Sequence, residues 1–109
     1  MESFESDRQI AIRNIAIARE NVEIARSNVA RARHHNDQTE AALEEAEATV
    51  SQLQEPSSYL IETGKRARAS YEAVESEYES AKEAREEAEL ALVRAMAVYR
   101  EAFGELPPH

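Results

Sequence analysis

The chain has no cysteine and no tryptophan, and its 109 residues include only two glycines and three prolines. Without cysteine there is no disulfide, no zinc–thiolate site and no thiol nucleophile. No stretch approaches the ~18 consecutive apolar residues of a membrane span. The acidic start MESFESD lacks the basic region and apolar core of a secretion signal, so a cytoplasmic protein is the expectation. Positive charge is scarce: 13 Lys and Arg against 22 Asp and Glu leave a net charge of −9. A chain without basic excess cannot gain from releasing counterions, so direct nucleic acid binding and binding to anionic membranes are not expected. There is no glycine-rich phosphate loop, no serine elbow and no triad context, so neither an enzyme nor a cofactor is expected.

What is present suits long helices. Hydrophobic residues, many of them alanine, make up 42%, and charged residues 32%. That is too little bulk for a thick core but enough for thin helical packing. The apolar residues keep one phase over many turns, which argues against disorder. With Ile15 at heptad position a, the first half places Arg8, Ile15, Val22, Val29, Asn36, Leu43 and Val50 at a. Phe4, Ala11, Ala18, Ala25, Ala32, Thr39, Ala46 and Leu53 fall at d. The phase passes through His34–Asp37 without a slip, although Asn36 and Thr39 weaken the seam there. Pro56 removes an amide donor and disfavours helix at Glu55, so QEPSS is the strong stop. Beyond it, a is Gly64, Tyr71, Tyr78, Arg85, Leu92 and Tyr99, and d is Leu60, Ala67, Val74, Ala81, Ala88, Ala95 and Ala102.

The predicted fold is all-α: an antiparallel two-helix coiled-coil hairpin that dimerises into a four-helix bundle. A single domain spans 1–109, with a helix over about 6–54, a turn at 55–57, a helix over about 58–103 and a short tail at 104–109. Ser6 and Ser3 compete to cap the first helix, and Ser57 or Ser58 the second. Gly64 is a weak point at which the second helix can start late. Gly104, followed by Pro107 and Pro108, ends it. A tight turn near Glu55 pairs residues whose numbers add to about 110, setting large side chains over alanines, as with Ile15 over Ala95 and Leu43 over Ala67. Pairs adding to 117 also match large to small, but need a longer loop. In the preferred register Arg19 lies near Glu89, Arg33 near Glu75 and Arg26 near Lys82, while Arg85 turns its head outward.

Position g repeats an amide every seven residues at Asn14, Asn21 and Asn28, and position c holds Ile10, Ile17 and Ile24. Across the hairpin the facing g positions are Ala84, Ala91 and Val98. Solvent-facing g positions usually carry Glu or Lys. An uncharged flank of this width predicts a self-association face made of these nine residues, in which the amides fix register.

Other groups carry less. His34 and His35 point about 100° apart on a helix and cannot readily chelate one ion, so no metal site is expected. The runs EEAE and EAREEAE lack the Glu-x-x-His partner of a di-iron bundle. Tyr71, Tyr78 and Tyr99 belong to the seam. At the turn, Tyr59, Leu60 and Ile61 beside Lys65, Arg66 and Arg68 form a candidate partner site. Leu90, Val93, Met96 and Phe103 can form a further apolar strip.

In size and outline the chain resembles the small secreted hairpin proteins built around a Trp-x-Gly turn, and its alanine-rich arms resemble the hairpin of periplasmic efflux adaptors. EPSS stands in place of the first family's turn, and YEAVE at Tyr71–Glu75 lies mid-helix. No functional residue carries over from either. The expected function is therefore a non-enzymatic scaffold or adaptor, acting through a homodimer and another protein. The alternative is an acidic inhibitor whose Glu rows imitate nucleic acid and block a nucleic-acid-binding protein.

Overall fold

The structure, a computed structural model, describes residues 2–107. It contains two long helices that pack against each other, α1 (Glu2–Ser51, 50 residues) and α2 (Ser58–Phe103, 46 residues). Helix α1 passes through His34–Asp37 unbroken, as the constant heptad phase requires. It opens at Glu2 rather than near Ser6, so both serines expected to cap it lie inside it. It also closes at Ser51, short of Gln54. There the ladder tightens, with the Leu53 amide donating to the Val50 carbonyl at 3.3 Å, and Leu53 is left outside the helix and exposed.

Helix α2 begins where the turn chemistry places it. The Ser57 hydroxyl accepts from the Leu60 amide at 3.3 Å, the hydrogen bond by which a cap satisfies one of the four orphan amides of a first turn. Gly64 does not delay the start. At the far end Gly104 adopts φ of 68°, and its amide donates to the Arg100 carbonyl at 2.8 Å. This left-handed cap is open to glycine at little steric cost. Pro107 is buried, and Pro108 lies outside the described residues.

The chain divides into two compact units. The terminal unit holds residues 1–27 and 82–109. Its core is Ile15, Ala18, Val22 and Ala25 from α1 with Tyr99 from α2, and Ile15 and Tyr99 are the largest side chains fully withdrawn from solvent. Each such burial contributes roughly 1.5–3 kcal/mol. Phe4 and Phe103 meet in a T-shaped arrangement at 5.1 Å between ring centroids, and Phe103 tilts against Tyr99 at 4.9 Å. Phe103 takes the place expected of Ala102, which is exposed.

The turn unit holds residues 28–81 and buries Val29, Asn36, Leu43 and Val74. Ala32, Thr39, Ala46, Val50, Leu60, Gly64, Ala67, Tyr71 and Tyr78 are half-buried along the same seam. Every a and d position from Arg8 to Val50 is thus buried or half-buried, as is every one from Leu60 to Tyr99. Sequence period and burial coincide because a 3.5-residue repeat keeps one stripe of each helix facing the other.

Contacts across the seam locate the register. In the terminal unit, Phe4 with Phe103 and Arg8 with Tyr99 join residue numbers adding to 107. A register of 117 would set those pairs about 15 Å apart along the axis, beyond their reach. In the terminal unit the helices therefore follow the shorter-loop register. Near the turn, α1 ends at Ser51 and α2 begins at Ser58.

Candidate interaction surfaces

The seam has two flanks, e and g, and they differ in chemistry. Ion pairs cross it at e positions. In the terminal unit Arg26 Nε lies 3.6 Å from Glu89 Oε1, and in the turn unit Arg68 donates to Glu47 at 2.5 Å. Glu89 pairs with Arg26, a residue the level-to-level register does not set opposite it. Helical side chains lean toward the N-terminus of their own helix. In antiparallel partners that lean brings together pairs whose numbers add to more than the level-to-level register. Glu75 accepts from the Tyr71 hydroxyl, which raises the Tyr71 pKa above its ordinary value. Arg85 keeps its head at the edge of the seam, 3.9 Å from Glu89.

On the g flank of the terminal unit, Asp7 is followed by uncharged residues. Asn14, Asn21, Ala84, Ala91 and Val98 are all exposed, and so are Ile10, Ile17 and Ile24 at the neighbouring c positions. Each isoleucine keeps about half its surface in solvent, and Val98 keeps 62%. Eight of the nine residues predicted for self-association therefore stand on the outside of one unit. Asn28, also exposed, belongs to the turn unit.

The candidate partner site near the turn does not form one cluster. Successive helical residues differ by about 100° in direction, so the six side chains separate onto different faces of α2. Ile61, Lys65 and Arg68 line a groove of about 280 Å³ together with Glu47, Val50, Ser51 and Gly64. Leu60 lines a different one, of about 240 Å³, with Ala46, Val50 and Thr63. Tyr59, 74% exposed, and Arg66 line neither. The expected positive charge is partly balanced, because Arg68 pairs with Glu47 and Lys65 lies 3.7 Å from Glu62.

One site escaped the sequence reading altogether. At the free end Arg8 Nε donates to the Tyr99 hydroxyl at 3.1 Å, Arg8 also donates to Glu105, and the Tyr99 hydroxyl donates to Glu105 Oε1 at 3.3 Å. Bonding to Tyr99, with Glu105 nearby, raises the Arg8 pKa further and keeps it charged. A heptad assigns Arg8 and Tyr99 to a positions, but nothing in it says that the tail turns back at Gly104 to supply Glu105. Beside this clasp, Met96, Ala97, Arg100, Glu101 and Leu106 line a broad groove of about 540 Å³. The exposed Leu90 and Val93 border another, with Glu86 and Glu89.

Among the described residues no cluster of three or more His, Asp or Glu could hold a metal ion, and no helix is long and apolar enough to cross a membrane. Asn36 is the unusual polar residue of the seam: it is 9% exposed, and its Oδ1 has no hydrogen-bond partner. No protein-family model matches this chain, and no curated protein or solved structure matches it significantly.

Proposed function

We propose that the chain is a non-enzymatic scaffold or adaptor. A helical hairpin joins a second copy along its uncharged flank to make a four-helix bundle, and presents its turn to another protein. The observation that carries this reading is the asymmetry of the seam. The e flank is crossed by Arg–Glu pairs, whereas from Ile10 to Ile24 the g flank of the terminal unit and the c positions beside it on α1 expose only amides and isoleucines. Charged e and g residues normally keep both flanks wet. Leaving one flank apolar costs solubility unless something covers it. The repeated asparagines suit a self-complementary contact, since a buried amide that finds a partner in only one alignment sets register at some expense of stability.

Light scattering of the wild type and of an Ile17→Glu, Ile24→Glu double variant tests it. The wild type is expected at twice the 12.3 kDa chain mass, and the variant at one chain mass with unchanged helicity. Two monomers of equal helicity would end the association reading.

A further inference from the structure

Gly64 occupies a helical position that neither conformation nor crowding reserves for glycine. Among the described residues the only glycine with positive φ is Gly104. A methyl group built at Gly64 would meet only the Val50 Cγ2 atom at 3.9 Å, an ordinary contact. Alanine would fit, and would favour the helix. What the missing side chain does is leave an opening. A groove of about 280 Å³ is lined by Gly64, Val50, Ile61 and Ser51 together with Lys65, Arg68 and Glu47.

We propose that this groove is a docking site for an acidic segment of a partner protein that inserts one aliphatic side chain over Gly64 and sets carboxylates against Lys65 and Arg68. The proposal rests on the adaptor reading and names the partner chemistry its turn would engage. Val50 and Ile61 offer apolar contact to a branched side chain, and the groove leaves room beside it for the backbone that carries it. The lining has two cations against one carboxylate, on a chain whose net charge is −9, so an acidic segment is drawn to this groove and repelled from most of the remaining surface. Lys65 and Arg68 hold their present carboxylates in exposed, weakly stabilising pairs, and exchanging one carboxylate for another sacrifices little. A second copy of the chain has a different seat, on the uncharged g flank, so the two contacts are separable.

The probe is a fluorescein-labelled peptide with one leucine between pairs of glutamates, followed by anisotropy against the full chain, beside counterparts with alanine for leucine and with lysine for glutamate. The acidic leucine peptide is expected to bind. The alanine peptide is expected to bind about tenfold more weakly, having lost the methyl groups that fill the groove. The lysine peptide should not bind, and raising salt from ~50 to ~500 mM should weaken the complex, because the cations face solvent. Gly64→Leu, which fills the opening while favouring the helix, should abolish binding at unchanged circular dichroism. Lys65→Glu, on an exposed side chain, should weaken the acidic peptide and admit the lysine peptide.

The Ile17→Glu, Ile24→Glu variant should bind the probe as the wild type does, so loss of the bundle leaves this site standing. Equal binding by the acidic and lysine peptides would overturn the proposal. So would wild-type binding by a folded Gly64→Leu chain, or no anisotropy change up to ~1 mM chain.

Discussion

Replacing Asn36 with valine should make the protein more stable. Asn36 sits at an a position between Val29 and Leu43, is 9% exposed, and has a carboxamide oxygen without a partner. A buried acceptor left unpaired costs roughly 1–3 kcal/mol of lost hydration. Valine removes that acceptor and adds a β-branched apolar group of the kind that occupies a at positions 22 and 29. Thr39 loses nothing, because its hydroxyl donates to the backbone carbonyl of residue 36 at 3.0 Å. The expected gain is about 2 kcal/mol, which for a chain of this size corresponds to a rise in Tm of roughly 8 °C. Thermal melting by circular dichroism, with the urea midpoint as an independent measure, reads it directly. An unchanged or lower Tm would refute the reasoning, since it would mean that the oxygen is satisfied in solution. The variant should also lose uniqueness, because a single buried amide at an a position is the best-attested device for excluding other registers and assemblies. Light scattering should then show a broader distribution of species.

Gly64→Ala should stabilise the chain by about 0.5–1 kcal/mol in urea unfolding, the helix cost of glycine with no compensating clash. The opposite sign is expected at Gly104, where φ of 68° makes alanine unfavourable by about 1–2 kcal/mol although nothing crowds the site, and thermal melting separates the two. Tyr99→Phe keeps the buried ring but removes the hydroxyl shared by Arg8 and Glu105, and should cost about 1 kcal/mol in the same assay. Phenolate absorbance should show Tyr71 titrating above its ordinary value of 10.0, and Glu75→Gln should lower that titration point. A raised pKa in the folded state is stabilisation fully present below the unfolded value and lost as pH rises through the folded one. The contribution of the Tyr71–Glu75 contact should therefore fade only in strongly alkaline solution.

The seam was legible because a repeat of seven is a global property, and a single weak residue does not erase it. Asn36 and Thr39 look like a break in composition, yet the phase of Val29 and Leu43 on either side fixes where both must point. The ends were less legible. Pro56 forbids helix at Glu55 but does not say how many turns earlier the ladder lets go, and α1 releases at Ser51. The Arg26–Glu89 pair was not legible for a geometric reason: layers are counted between Cα positions, whereas these two meet at the tips of leaning side chains. The groove over Gly64 had a signal in the sequence, a glycine on the seam of a helix. That signal reads as weakness until the space around it is measured. The clasp had almost none, since Glu105 lies past the end of α2 and its direction depends on a single left-handed residue.

Arg8 and Tyr99 are separated by 91 positions, whereas Val50 and Gly64 stand 14 apart. Closing the longer loop directly from the unfolded chain costs about 1.7 kcal/mol more entropy than closing the shorter one. Folding that starts beside the proline connection and zips outward avoids most of that difference, and reaches the Phe4–Phe103 edge last. The same order run backwards makes the two chain termini the first to let deuterium in, and mutations at Arg8 or Tyr99 should change the rate of unfolding far more than the rate of folding.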